Sequence, residues 1–212
     1  MHIEPGMLAS PKILGANIAA AGLLLCYAPA LLKRPALWLR TLLAAAFFSV
    51  FMQSFHMPVG PSELHFVGAM PIYLTLGFLP TLFGFALGLL MQGLLFEPQD
   101  LVHLAVNSLS LMVPLIALHH TLGKRIAAPA GIKTILQLDA AYYAGVAAMV
   151  GFWLLIGEDA TALADWAAFA ASYGGVVLLE PVFTVLVCKG VAAVRHARWA
   201  RACFDERLTA AA

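Results

Sequence analysis

"ILGANIAAAGLLLCYAPALL", residues 13–32, is the stretch that decides the fold. It carries no charge, and about 20 apolar residues at a helical rise of about 1.5 Å each cross the hydrocarbon core of a bilayer. Lys12 bounds it on one side and Lys33-Arg34 on the other. Six further apolar runs follow, at about 41–58, 66–79, 80–96, 107–122, 139–157 and 167–189, separated by short charged or Pro/Gly-marked breaks. The pattern predicts one integral membrane domain over 1–212, an all-α polytopic bundle of about seven spans. The third and fourth runs are short, with "FLPTLFG" between them. Two short helices joined by a tight turn fit there, or a re-entrant pair. Composition agrees: 62% of residues are hydrophobic and 11% charged, the latter about half the share in soluble domains.

Lysine and arginine orient the bundle, because basic loops stay on the cytoplasmic side. With the N-terminus outside, Lys33, Arg34, Arg40, Lys124, Arg125, Lys133, Lys189, Arg195, Arg198, Arg201 and Arg207 all fall inside. Only Lys12 falls outside. Glu4, Glu63, Glu97, Asp100, Glu158, Asp159 and Asp165 also lie outside. The expected topology is therefore N-out and C-in, with an odd number of spans. Residues 190–212 form a basic cytoplasmic tail that anchors the last helix to the inner leaflet. His2, His56, His65 and His103 sort to the outer side, and His119, His120 and His196 to the inner side.

Several function classes drop out. A net charge of +1 with no basic, aromatic-interleaved patch argues against a nucleic-acid partner. "MHIEPGMLASPK" has neither a basic n-region nor an apolar h-region, so residues 1–12 are expected in the mature protein. Cys26, Cys188 and Cys203 form no CxxC pair, so neither a disulfide framework nor a zinc knuckle is indicated. "LGKR" at 122–125 lacks the first glycine and the hydroxyl of a phosphate-binding loop. No HExxH, no nucleophilic triad and no chain of intramembrane acids stands out, so neither an enzyme nor an autonomous antiporter is expected. Energy for transport would have to come from elsewhere.

The first two residues carry the chemistry. The α-amine of Met1 and the backbone nitrogen of His2 close a five-membered chelate ring on a metal. That same nitrogen and the His2 Nδ1 close a six-membered ring. Three nitrogens then lie in one plane once the amide deprotonates. Cu(II) and Ni(II) favour such tetragonal sites and Co(II) is accommodated; tetrahedral zinc fits poorly. An imidazole from another segment would complete the plane. On residue type alone His2 reads more readily as a plain polar residue ahead of the first helix.

The opening Met1-His2-Ile3-Glu4-Pro5-Gly6 and the outer stretch Gly60-Pro61-Ser62-Glu63-Leu64-His65, followed by Val67-Gly68-Ala69, together resemble the CbiM/NikM family. These are the substrate-binding membrane components of energy-coupling factor transporters for cobalt and nickel. Gln92 and Asn107 extend the resemblance, which covers roughly residues 1–120. The loop departs from the Gly-Gly-Thr-Ser-x-His form, and "AVN" stands at 105–107 in place of "GAN". The resemblance implies a planar site made by the Met1 amine, the His2 backbone and imidazole nitrogens, and His65 at the end of the outer ligand loop 59–65. It also implies a transmembrane coupling subunit, cytoplasmic ATPase subunits and a small auxiliary membrane subunit as partners. Residence in the bacterial plasma (inner) membrane, Co²⁺ or Ni²⁺ as transported substrate, and no cofactor follow as well. An organic nutrient such as a vitamin is the alternative substrate, and such a protein would have no need of a free N-terminus.

The remaining polar residues have bland readings beside the chemical ones. His56 could orient a metal-bound imidazole or simply hydrogen-bond a helix end. Ser62 and Asn107 are candidates to support the loop. His103 reads as a solvated loop residue. Gln92 fits a hydrogen bond across helices, and Glu180, ahead of Pro181, one to backbone that the proline frees. Met52, Met57, Met70, Met91 and Met112 follow no common face and read as packing. The small residues Gly15, Ala16, Ala19, Ala20 and Gly22 make the first span a candidate docking face, and Gly84 and Gly88 allow close helix approach.

Overall fold

The computed structural model describes residues 6–59, 62–126, 130–158 and 162–205. Eight α-helices and one hairpin follow in chain order: α1 Ser10–Leu32, α2 Ala36–Ser54, β1 His56–Val59, β2 Ser62–His65, α3 Ala69–Leu76, α4 Phe78–Leu95, α5 Leu104–Thr121, α6 Ile132–Leu155, α7 Leu163–Val194 and α8 Arg198–Cys203. A 3-10 turn, Pro98–His103, leads directly into α5. Six helices are long and apolar enough to cross a membrane: α1, α2, α4, α5 with its leading turn, α6 and α7. The run at 66–79 yields only the eight residues of α3, too short at about 12 Å to span a bilayer alone.

Contacts between the long helices settle how they run. Ala44 meets Gly84, Phe48 meets Gly88, and Gln53 meets Gln92, so α2 and α4 are parallel. Glycine makes this approach possible, since a Cβ at Gly84 would sit 2.5 Å from that of Ala44. The Ser49 hydroxyl donates to the Gly88 carbonyl at 3.0 Å across the same seam. Pro114 against Gly145 and Ser110 against Trp153 make α5 and α6 antiparallel. Glu180 against Tyr143 and Trp166 against Ala147 do the same for α6 and α7.

Two ends result. Residues 6–12, the hairpin, the 3-10 turn before α5 and the α6–α7 connection share the hairpin end. The α1–α2, α3–α4 and α5–α6 connections and α8 share the tail end, which carries the basic residues of those connections and of 195–201. Because α2 and α4 are parallel, residues 55–77 must carry the chain back between them. They do so as the hairpin followed by α3, whose eight residues are all buried against α7, α2, α4 and α6.

Glycine brackets α3. Gly68 has φ +62, and a Cβ there would meet the Phe51 ring at 2.3 Å. Gly77, with φ 95 and ψ 169, separates α3 from α4. That conformation is open essentially to glycine alone, and it turns the descending helix into the ascending one. The sequence reading placed this break at residues 79–80; the positive-φ glycine puts it at 77, ahead of Pro80.

Other boundaries move for a common reason. The second run ends at Ser54, because His56–Val59 leave the helix for the β1 strand, and Pro58 has no N–H with which to extend it. The sixth and seventh begin earlier than their apolar runs, since helical hydrogen bonding continues through Lys133, Thr134 and Asp165. Thus the described residues of the 59–65 stretch, Val59 and Ser62–His65, belong to a two-stranded hairpin rather than an irregular loop, with His56 opposite His65, Met57 opposite Leu64, and Pro58 opposite Glu63. The last span runs to Val194. Beyond it, α8 folds back onto α2. The buried Arg40 guanidinium donates to the carbonyls of Arg201 at 2.9 Å and Ala202 at 3.2 Å. The Asp205 N–H donates to the Thr75 carbonyl at 2.6 Å, tying the tail to the end of α3.

The strain-free use of glycine at 77 generates a test. Gly77→Ala should destabilise the folded protein by about 1–3 kcal/mol, read as a lower thermal midpoint in detergent. An unchanged midpoint would mean that the α3–α4 break does not depend on this backbone conformation.

Candidate metal site at the hairpin end

The N-terminal segment is fastened at the hairpin end by two contacts to one residue. The Glu158 N–H donates to the Met7 carbonyl at 3.0 Å, and the Lys12 ammonium pairs with the Glu158 carboxylate. That hydrogen-bonded cation holds the Glu158 carboxyl below its ordinary range. Leu8 is buried behind it. Residues 1–5, and so Met1 and His2, lie outside the described residues, as do Gly60 and Pro61. The described segment begins one turn ahead of α1, on the end of the bundle that carries His65.

His65 is the end of β2 and is only 3% exposed. Three features hold it. Its strand pairs with β1, the pairing continues as the Phe66 N–H bonds the Phe55 carbonyl at 3.0 Å, and its Nδ1 lies 3.4 Å from the Met52 carbonyl oxygen. A neutral imidazole donating there carries its lone pair on Nε2, the form in which histidine binds metals. The His56 ring stacks beside it, with centroids 5.9 Å apart and planes 19° from parallel. The sequence reading of His65 as a metal ligand stands as a proposal; the solvated, helix-start reading is excluded by its burial.

The other candidates divide into two places. His56 joins His65. Asn107 instead lines a small recess with Leu89, Gln92, Gly93, Asp100 and Leu104, where α4 meets the start of α5. Gln92 reaches across helices as expected, its Nε2 donating to Gln53 Oε1 at 2.6 Å. Gln53 neighbours Met52, so the recess and the histidine pair share the last turn of α2. Ser62 takes part in the hairpin pairing through its backbone. His103 corrects the sequence reading: it is fully buried, not solvated. Leu101, two residues earlier, packs against Gly93, and the 3-10 turn thereby folds under the end of α4. Among the described residues no three His, Cys, Asp or Glu side chains gather to hold a metal ion.

Glu180 differs most from its expected role. It is fully buried, and instead of bonding backbone freed by Pro181 it reaches α3. Its Oε1 accepts the Met70 N–H at 2.9 Å, and its Oε2 accepts the Tyr143 hydroxyl. The first N–H groups of a helix have no partner within it, and a buried one left unmatched costs about 1–3 kcal/mol. A carboxylate there also meets the positive end of the helix dipole. Asp139, missed because it was taken for the edge of an apolar run, is buried on α6 one turn before Tyr143 and neighbours Glu180. Its helical spacing from Tyr142 and Tyr143 was the available signal.

The small residues of the first span split. Ala16 and Ala20 pack into the core, while Gly15, Ala19 and Gly22 face outward. Met52, Met70 and Met112 are core residues, as read from sequence, whereas Met57 is exposed on β1 and Met91 only partly buried. At the tail end His119 and His120 are structural. Tyr73 bonds His119 Nδ1 at 2.8 Å, Phe78 stacks on the same ring, and Tyr27 lies 3.1 Å from His120 Nε2. An apolar groove of about 600 Å³ opens between the outer face of the hairpin and α7, lined by Phe51, Phe55, Leu64, Phe66, Leu179 and Phe183, with His56 on its wall.

The Lys12–Glu158 pair makes the N-terminal docking sensitive to acid. Glu158 has a lowered folded-state pKa, so its contribution is present above the unfolded carboxylate value, about 4.3, and is lost as pH falls through the folded value. A spin label at Ser10 should be immobile at neutral pH and gain mobility on acidification through that range. In Glu158→Gln it should be mobile at neutral pH with no such transition. A label equally immobile in both proteins would show that the pair does not hold the segment.

A family model described as the cobalt uptake substrate-specific transmembrane region matches residues 2–198. Neither the curated proteins nor the solved structures provide a match. The match covers nearly the whole chain, including the N-terminal segment from His2, the hairpin with His65, and all six long helices, so this multi-pass membrane protein belongs to the CbiM family of cobalt uptake components.

Proposed function

We propose that this protein captures Co²⁺ or Ni²⁺ on the extracytoplasmic face of the bacterial inner membrane, using its own N-terminus as the principal ligand. The Met1 amine, the His2 amide nitrogen and the His2 Nδ1 form two fused chelate rings in one plane, and His65 supplies the fourth nitrogen. What supports this most is the setting of His65. It is a buried imidazole whose Nδ1 rests on the Met52 carbonyl, at the end of the bundle where the N-terminal segment is fastened. Planar nitrogen ligation suits Ni²⁺ and accommodates Co²⁺. Copper would bind more tightly in a test tube by the general order of affinities, so copper binding does not identify the substrate.

The hairpin end is the outer face in this reading, since the basic residues collect at the opposite end. Met1 must be a free amine and His2 must directly follow it. His56 stacks on His65 and orients it; Ser62, in β2, and Asn107, in the first turn of α5, support the site from the hairpin and from the neighbouring recess. Release and re-entry of metal are driven by partners, a transmembrane coupling subunit and cytoplasmic ATPases, with a small auxiliary membrane subunit. The outward small residues Gly15, Ala19 and Gly22 offer α1 as a surface for a partner helix.

The test is calorimetric binding of Co²⁺ and Ni²⁺ to protein with a native N-terminus, beside a His2→Ala variant. The substitution removes the six-membered ring and one imidazole of the terminal chelate while leaving every other histidine in place. Loss of tight binding supports the terminal chelate, and equal binding by both contradicts it; binding of neither metal by the native protein favours an organic nutrient as substrate. In cells, an uncleaved N-terminal tag should abolish metal uptake, whereas the same tag at the C-terminus should not.

A further inference from the structure

The carboxylate of Glu180 lies on the seventh helical element, far in sequence from the hairpin, yet it bonds the chain five residues after His65. The connection is short and closed. Val67 and Gly68 are buried between His65 and α3, Gly68 is pressed against Phe51, and Met70 in the first turn of α3 donates to Glu180 Oε1 at 2.9 Å. The other carboxylate oxygen is fixed by the Tyr143 hydroxyl from α6. Tyr143 in turn stacks on Tyr173 of α7, centroids 4.9 Å apart. The start of α3 is therefore pinned to both α6 and α7, and the hairpin itself packs on α7.

We propose that Glu180 is a positioning residue for metal capture: by accepting the Met70 N–H it fixes the start of α3 and hence the strand that carries His65. The inference rests on His65 being a metal ligand. Tyr143 is the second member of the device, and Asp139, one turn before Tyr143 on α6, neighbours Glu180 of α7. Nothing in the arrangement requires Glu180 to touch the metal. Its effect reaches the site through five residues of enclosed backbone, as outer contacts orient metal-bound histidines elsewhere.

The experiment uses the full chain with its native N-terminus in detergent and reads two quantities. One is Ni²⁺ affinity; the other is amide hydrogen exchange across residues 55–70 without metal. Glu180→Leu should weaken Ni²⁺ binding by about 10-fold or more and speed exchange across that segment. Glu180→Gln, whose amide oxygen still accepts the Met70 N–H, should recover most of both. A lower thermal midpoint in Glu180→Leu with wild-type affinity and exchange would overturn the proposal, leaving Glu180 a fold residue only. So would a glutamine variant as impaired as the leucine one. Should Glu180→Leu fail to fold, Tyr143→Phe carries the test: weaker affinity and faster exchange sustain the proposal, and no change in either overturns it. If the wild-type protein itself binds neither Ni²⁺ nor Co²⁺, the metal reading fails. The exchange measurement then decides by itself whether Glu180 holds the hairpin.

Discussion

Parallel packing of α2 on α4 is the constraint on which the rest of the structure depends. Two consecutive long helices joined by a short loop would run antiparallel. Here the glycine seam at Gly84 and Gly88 brings them together in the same direction. The chain must then return to the tail end before α4 can start, and the return has to pass through the interior. Exposed backbone cannot be left unmatched in a bilayer, so the return is built from units that satisfy their own hydrogen bonds. A hairpin pairs with itself, and a short helix bonds internally except at its ends. Those ends explain the buried polar groups nearby: Glu180 answers the start of α3, and the tail at Asp205 answers its last turn through Thr75.

This return segment also links the two ends of the molecule. His65 stands at its beginning, and Gly77, Asp205 and the Arg40-held α8 at its close. The proposed metal ligand is thus connected through one buried eight-residue helix to the end where the basic residues collect. Some hydroxyls along the bundle are dealt with locally: Thr81 and Ser110 donate back to the carbonyls four residues earlier, as polar side chains do in apolar helices. Glu180 does not, which is why it stands out as more than a solvated or back-bonded acid.

Much of the bundle was legible because long charge-free runs admit few other structures, and the charged breaks at Lys33-Arg34 and Lys124-Arg125 mark ends that the helix contacts independently sort together. The hairpin was not legible, since "HMPV" is apolar enough to prolong the second run; Pro58 was the cue that the helix had ended. Asp139 was misplaced by the same logic in reverse, a polar residue being taken as an edge when it lay inside a helix. His103 looked like loop because Pro98, Gln99 and Asp100 precede it, whereas a 3-10 turn carries it inward. His65 was singled out by its neighbours in sequence. Its support by Met52 and its link to Glu180 are contacts between distant segments that no local pattern encodes.

The most direct measurement of the central claim is X-ray absorption on the Ni²⁺-loaded protein, with and without the His65→Ala substitution. The account predicts a four-coordinate planar shell of nitrogen with scattering from two imidazoles, reduced to one imidazole when His65 is removed. A six-coordinate, oxygen-rich shell, or one that the substitution leaves unchanged, would contradict it.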